Sequence, residues 1–475
     1  MAIALTADDG ALRVAVVRGI VFARLKSPKS AHDLAIAGRP VSASMPPMAE
    51  NRELAEAMAR LDALTDWERR PRKFMRVDLK PMQDLATRLG CPQDAFRAVH
   101  VGGTKGKGSV SALIEVALAQ AGVRVGRYAS PHVETVTERV SLQGRSVDEP
   151  TLARALTKAL DVYEEARSER TAAAEATWFD LLTAAAFLIF RDAGVEWAVV
   201  EVGLGGRLDS TNVVDGEIAV VTNIGLEHTE ILGKTRALIA REKIGVLKPG
   251  AVLVTTLAPD DEAGRVIQAR ADELGSPVIR VNLGEAPTIE EINVALAGAV
   301  LDELGKKGVV GRDGRPLGAG LIDAETRAAA RLIGRMERID IEAGASRLPV
   351  VFDGAHVPFN LAAVLRDLAR SPDLAGPCVA VVALASDKDA AGFLTKLQKR
   401  ALAVVFTEPH SAGRGRAAAE LAALAAALGV RSEVEPEPER AFRRGLELAA
   451  DAKAWLLVTG SLYLVGALRR AAGGR

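Results

Sequence analysis

The chain has 475 residues, 49% apolar and 26% charged, which is too long for one ordinary core and implies two or three globular domains. Its 61 basic and 61 acidic residues cancel, so no overall field draws it to nucleic acid or to an anionic membrane. Cys91 and Cys378 stand alone, which excludes a disulfide framework or structural zinc site and fits a reducing cytoplasm, and the longest apolar run, LLTAAAFLIF (181–190), is too short to span a bilayer.

Residues 1–48 carry short apolar patches, then KSPKS, GRP and SASMPP, with no sustained helical period. They are expected to form a weakly ordered extension, with an extra hairpin packed on the core as the alternative, and Asp8 and Asp9 disfavour a secretory signal. ENRELAEAMARLDALTDW reads as a helix. From about residue 95 strands and helices alternate: FRAVHV, VRVGRY, WAVVEV (197–202), EIAVVTNI (217–224) and GAVLVTT (250–256) are β-branched runs, with helical periods such as SVSALIEVALAQAG and WFDLLTAAAFLIFRDAG between them. After the Gly-rich VVGRDGRPLGAG (309–320) a second series follows: LPVVFDGAH, CVAVVALASDKD, ALAVVFTEPH and AWLLVTGS, separated by FNLAAVLRDLAR and RAAAELAALAAALG. Such alternation implies two α/β domains with parallel sheets and a cleft between them, dividing the chain into 1–48, 49–331 and 332–475 with a hinge near 309–332.

Ligands of open parallel sheets bind beyond the carboxyl ends of the strands. After the first strand comes GGTKGKGS, which opens a helix. It departs from the usual phosphate loop, G-x-x-x-x-G-K-[ST], because Gly106-Lys107 is followed by Gly108 before Ser109, and Val101 stands where the first glycine belongs. Its glycines still let backbone N–H groups wrap phosphate oxygens, and Lys107 can reach the β- and γ-phosphates. The next strand ends in YASPH, with Ser130 and His132; WAVVEV delivers Glu201, a carboxylate able to hold Mg²⁺ near phosphates; VTNIGLEHTEILG delivers Glu227 and His228. Singly, each is as readily a surface acid or a helix cap. Together at successive strand ends they point to a nucleotide site.

These segments, with ERVSLQGRSV, FDLLTAAAF, EVGLGGRLDSTNVV, IAREKIGVLKPG, GRMERI, DGAH, SDKD and VTGSLYLVGAL in the same order, resemble the folylpolyglutamate synthase/dihydrofolate synthase branch of the Mur ligase superfamily. In that branch G-T-[NK]-G-K-G-S is the usual form of the loop. The resemblance implies a P-loop ATPase-type parallel sheet domain followed by a smaller Rossmann-like α/β C-terminal domain. It also implies an ATP-dependent amide ligase: ATP phosphorylates a pteroate or folate carboxylate, and the amino group of L-glutamate displaces the phosphate. Dihydrofolate synthase, folylpolyglutamate synthase or both fit the motifs. By the same match Gly103, Thr104, Lys105, Gly106, Lys107, Gly108 and Ser109 cradle the phosphates, while Ser130, Glu201 and His228 ligate Mg²⁺. Lys243 corresponds to a lysine carbamylated in relatives, which would support a second Mg²⁺. Arg335, Asp353 and His356 close over the nucleotide, and Asn293 faces the adenine or the linker. His132, Phe179, Thr183, Asp387, Lys388 and Ser461 are candidates for substrate contact. Lys107, Glu201, His228, Lys243 and His356 make the catalytic set, in a cytoplasmic monomer acting on small molecules.

The chain departs from many bacterial members at Lys105 and at Val357, where DGAHVP replaces D-x-A-H-N-P. A lost amide that leaves a buried partner costs ~1–3 kcal/mol, so Val357 bears on the contacts made there. The alternatives are a Mur-type ligase acting on another carboxylate and an ATP-binding homologue that has lost ligation.

Overall fold

In the computed structural model, which describes residues 3–8, 11–16, 52–67, 78–343, 346–408 and 415–473, the chain forms two units, 1–50 and 51–475. In the first, β1 (Ile3–Asp8) pairs antiparallel with β2 (Ala11–Val16). The expectation of weak order for 17–48 lies outside the described residues.

In the second unit the β-branched runs become β3 (Arg97–Gly102), β4 (Val125–Tyr128), β7 (Trp197–Glu201), β8 (Gly216–Val221) and β9 (Val252–Thr255), joined by the short strands β5 (Val140–Leu142), β6 (Arg145–Ser146) and β10 (Val278–Arg280). They form one sheet in the order β10-β9-β8-β3-β7-β4-β5-β6, parallel from β10 to β4 with an antiparallel edge of β5 and β6. Strands buried on both faces need apolar side chains on both, so they read as unbroken runs. In β3, Val99 and Val101 pack toward the helices Lys107–Gln120 and Ile289–Lys306, while Ala98 joins the opposite core with the helices Glu149–Glu169 and Trp178–Asp192.

The remaining strands, β11 (Glu337–Ala343), β12 (Ser346–Asp353), β13 (Cys378–Val382), β14 (Ala401–Phe406), β15 (Ser432–Val434) and β16 (Trp455–Thr459), form a second sheet in the order β11-β12-β16-β13-β14-β15. Only the β11–β12 pair is antiparallel. Within the segment 309–332, Leu317, Ile322 and Ala330 belong to the core under the helices Lys107–Gln120 and Ile289–Lys306. The connection that follows, Ile333–Met336, is tied to the second sheet, with Gly354 N donating to Gly334 O (3.1 Å) and Met336 N to Asp353 Oδ2 (2.9 Å). No helix among the described residues is long and apolar enough to cross a membrane.

Candidate active site

Because β3 lies between β7 and β8, the turns that leave these strands converge on one edge of the sheet. Gly103 and Gly106 have φ of +129° and +88°, in the region that favours glycine. A Cβ at Gly103 would come within 2.0 Å of Thr222 Oγ1, and one at Gly106 within 2.7 Å of Asn293 Oδ1. The loop is stapled to the end of β8. Thr104 N donates to Asn223 O (2.9 Å), Lys105 N to Asn223 Oδ1 (3.0 Å), and Asn223 Nδ2 and Thr222 Oγ1 donate back to Lys105 O (3.0 and 2.6 Å). Gly225 N closes the set by donating to Thr104 Oγ1 (3.0 Å). Thr222 and Asn223 therefore shape the loop, although the sequence pattern marked only Glu227 and His228 in that segment.

Glu201, at the tip of β7, is 5% exposed. Lys107 Nζ stands 4.0 Å from its Oε1, and Ser130 N donates to its Oε2 (3.4 Å). Burial pushes the Glu201 carboxyl above its ordinary range, opposed by the charges of Lys107, Arg335 and Arg127. Lys243 is buried behind the loop and outside the cleft wall, with Nζ donating to Gly103 O (2.8 Å). Burial, with Lys107 and Lys105 nearby, lowers its ammonium to about 7.

The second sheet presents its own strand ends across the cleft. Lys105 Nζ lies 2.9 Å from Glu227 Oε1 and 3.0 Å from His356 Nε2, and those two atoms are 2.9 Å apart. Burial and the Lys105 charge depress the His356 imidazole to about 4, so it is neutral at pH 7. Nδ1–H then donates to Gly354 O (2.8 Å), Nε2 accepts from Lys105, and the same ammonium donates to Glu227. Burial opposes the charge on Glu227, yet the Lys105 ammonium that donates to it holds its carboxyl well below the usual carboxylate range. Lys388 Nζ is 3.7 Å from Glu227 Oε1, and His228 Nε2 is also 3.7 Å from it. Asp353, raised by burial, accepts from Met336 N (2.9 Å) and Ala355 N (2.8 Å), which shapes the turn that carries His356. Glu227 is thus the hub of this cluster, a role that one glutamate in a loop does not advertise.

The cleft encloses about 1790 Å³ between the two sheets. Thr104 to Ser109, Ser130, Glu201, His228, Asn293, Arg335, Asp353, His356, Phe179, Asp387, Lys388 and Ser461 all line it. His132 and Thr183 do not. The former accepts from Arg139 Nε (2.8 Å), and the latter is fully buried, with Oγ1 donating to Phe179 O (2.7 Å). Thr183 lies on the inward side of an amphipathic helix, so packing explains it. The lining also includes Asp66, Trp67, Asp78, Asp180 and Asp209, which lie far apart in sequence and share no motif spacing. Val357 is 6% exposed at the N-terminus of the helix Pro358–Leu368 and supplies no side-chain cap.

One carboxylate and one hydroxyl beside a phosphate loop form the donor set that Mg²⁺ uses when substrate phosphates complete its shell. Ser130 and Glu201 fit that description. Among the described residues no group of three His, Cys, Asp or Glu has metal-ligand spacing on its own.

A buried group elsewhere links this region to stability. His100, in β3, is held down to about 3 by burial and the charge of Lys248. Between pH about 3 and 6.5 the unfolded chain binds the extra proton, so stability falls as pH drops through that window. In urea unfolding, going from pH 7 to pH 5 is expected to cost the native sequence about 2 kcal/mol more than His100→Gln. Equal losses would show that His100 charges in the fold without penalty.

Comparison with known proteins places the chain firmly. Residues 101–296 match the Mur ligase middle domain and residues 334–462 the Mur ligase glutamate ligase domain. A dihydrofolate synthase/folylpolyglutamate synthase of Bacillus subtilis is 41% identical over 197 residues, which is 41% of this chain and 45% of that protein. The Escherichia coli protein of the same name is 33% identical over 373 residues, covering 74% of this chain and 81% of the relative. Among solved structures, the bifunctional folylpolyglutamate synthase/dihydrofolate synthase of Yersinia pestis complexed with AMPPNP and Mn ion is 30% identical, with a TM-score of 0.72 over 88% of this chain and 97% of that one.

Proposed function

The chain belongs to the folylpolyglutamate synthase/dihydrofolate synthase family of Mur ligases, and from that premise we propose that its cleft joins L-glutamate to a pteroate or folate carboxylate at the expense of ATP. The observation that carries this reading is the facing of two charge clusters. Lys107 and Glu201 stand at the phosphate loop, while His356 and Lys388 from the second sheet meet Lys105 and Glu227 across the cleft.

In this reading the amides of Gly103 to Ser109 and the N-terminus of the helix Lys107–Gln120 bind the β-phosphate, and Lys107 spans to the γ-phosphate. Arg335, Asp353 and Asn293 complete the nucleotide site. The substrate carboxylate oxygen bonds to the γ-phosphorus as the bond to the β-phosphate oxygen breaks, releasing ADP and leaving an acyl phosphate. The glutamate amine attacks the acyl carbon, phosphate departs, and the amine gives up a proton. Lys105, Lys107, Lys388 and Arg335 offset the negative charge that gathers on the transferred group. Ser130 and Glu201, with His228 of the same cleft lining, would hold Mg²⁺, whose contribution when bound is to neutralise phosphate charge. Phe179, in the cleft lining, offers an aromatic face to the pterin, and Asp387 and Ser461, from the second domain, offer polar groups to glutamate.

Two finer points belong to the same proposal. Residues 49–331 form the ATP-binding domain and 332–475 the glutamate ligase domain. Lys243, lowered to about 7, holds a large neutral fraction at neutral pH, as addition to CO₂ requires, and its carbamate would support a second Mg²⁺.

The test is ADP release by the purified protein with Mg·ATP and L-glutamate, offering dihydropteroate and tetrahydrofolate separately. Turnover with either is expected, and which one sets the type of synthase. Protein that binds ATP yet is silent with both would overturn the proposal.

A further inference from the structure

His100 sits in the middle of β3, fully buried, on the face that Ala98 turns toward the helix Trp178–Asp192. A central parallel strand ordinarily carries an apolar residue there. The imidazole Nε2 lies 2.9 Å from Thr211 Oγ1, and its Nδ1 is buried without a partner, an arrangement that costs stability unless something is gained.

Thr211 Oγ1 is 2.5 Å from Asp209 Oδ1. Burial raises the Asp209 carboxyl, opposed by the donors it collects: the Thr211 hydroxyl, Thr211 N (3.1 Å) and Leu204 N (2.7 Å). The single Thr211 hydroxyl hydrogen is therefore committed to Asp209, and His100 must donate Nε2–H to Thr211.

The turn Asp209–Asn212 spends each side chain on a different element. Asp209 holds Leu204 N, and Ser210 Oγ donates to Asp180 Oδ1 (2.6 Å) at the start of the helix that carries Phe179. Thr211 meets His100, and Asn212 Nδ2 donates to Arg207 O (2.9 Å) and Gly245 O (3.1 Å). A Cβ on Gly203 would come within 2.6 Å of the Phe179 ring, so this turn and that ring set one wall of the cleft.

We propose that His100 is a positioning residue for the carboxylate substrate: through Thr211 and Asp209 it sets the wall formed by Phe179, Gly203 and Leu204 without touching substrate. The inference rests on the ligase reading above, with the pteroate or folate lying against that wall. It carries a discriminating consequence. β3 runs from His100 directly into the phosphate loop, so a merely structural defect would disturb nucleotide binding first, whereas a positioning role disturbs the other substrate.

The experiment uses the full-length chain with His100→Leu, His100→Gln and Thr211→Val. It reads KM for ATP and for the active pteroate or folate substrate, and Kd for ADP and for that substrate without turnover. His100→Leu is expected to raise KM and Kd for the pteroate or folate about tenfold, with the ATP and ADP constants unchanged within about twofold. His100→Gln, whose amide nitrogen can donate from near the Nε2 position, should stay within about threefold of the native enzyme. Thr211→Val should match His100→Leu, and combining the two should add nothing. Should His100→Leu fail to fold, the Gln and Val variants decide. Thr211→Val with native substrate affinity, or His100→Gln with nucleotide binding weakened as much as substrate binding, would overturn the proposal. A native enzyme that binds neither dihydropteroate nor tetrahydrofolate would remove the ligase reading as well. Native ligation combined with an unimpaired His100→Leu would remove this inference alone.

Discussion

Glu201→Gln is expected to lower kcat/KM for ADP formation by about 10²- to 10³-fold while the cleft keeps its shape. Glutamine matches glutamate in size, and the backbone donor from Ser130 (3.4 Å) still finds an oxygen. What disappears is the negative charge, 4.0 Å from Lys107 Nζ and deep enough that little water can replace it. Lys107 then lacks its counter-charge, and a divalent cation held there as proposed would lose a carboxylate ligand. The kinetic signature is a Mg²⁺ requirement that shifts to higher concentration, with kcat still depressed at saturation. A variant with native Mg²⁺ dependence and a rate within about threefold would exclude Glu201 from the phosphate charge balance.

Lys243→Met is expected to be nearly as damaging, about 10²-fold or more in kcat, with nucleotide binding still measurable. Methionine retains the unbranched stem, so the loss falls on the nitrogen that bonds Gly103 O (2.8 Å) and on whatever that nitrogen carries. Carbamylation makes a further demand, because only the neutral amine adds to CO₂. With the ammonium lowered to about 7, native activity should be weaker in CO₂-depleted buffer near pH 6 and recover on adding bicarbonate near pH 8. Activity indifferent to CO₂, together with no carbamate signal after ¹³C-bicarbonate labelling, would leave Lys243 as a plain donor to the loop. The linkage has a definite sign. Between pH about 7 and 10.5 the unfolded chain binds more protons than the fold, so the cost of burying Lys243 shrinks as pH rises through that window.

The two predictions probe opposite sides of one loop. Glu201 balances charge on its cleft face, and Lys243 supports it from behind. Each depends on the loop being held open in a glycine-only conformation by Thr222 and Asn223, which no phosphate-loop pattern names.

The sequence by itself determined the elements whose burial is two-sided and whose ends are punctuated. β3, β7, β8, β13 and β16 were legible as apolar runs because both faces of a central parallel strand are dry. The short edges β6, β10 and β15 were not, since an edge needs few apolar side chains to hold its place. The convergence of the loop, Ser130, Glu201 and His228 on one cleft was also legible, because residues that leave adjacent parallel strands gather at one sheet edge. Only the tertiary structure decided what distant segments do to one another. It set Lys105 on Glu227 and His356 across the cleft, buried Lys243 behind Gly103, turned Thr183 into the core, and joined His100 to Asp209 through Thr211. Charge, burial and hydrogen-bond partners depend on separation in space, and spacing along the chain carries that information only within one turn or one strand.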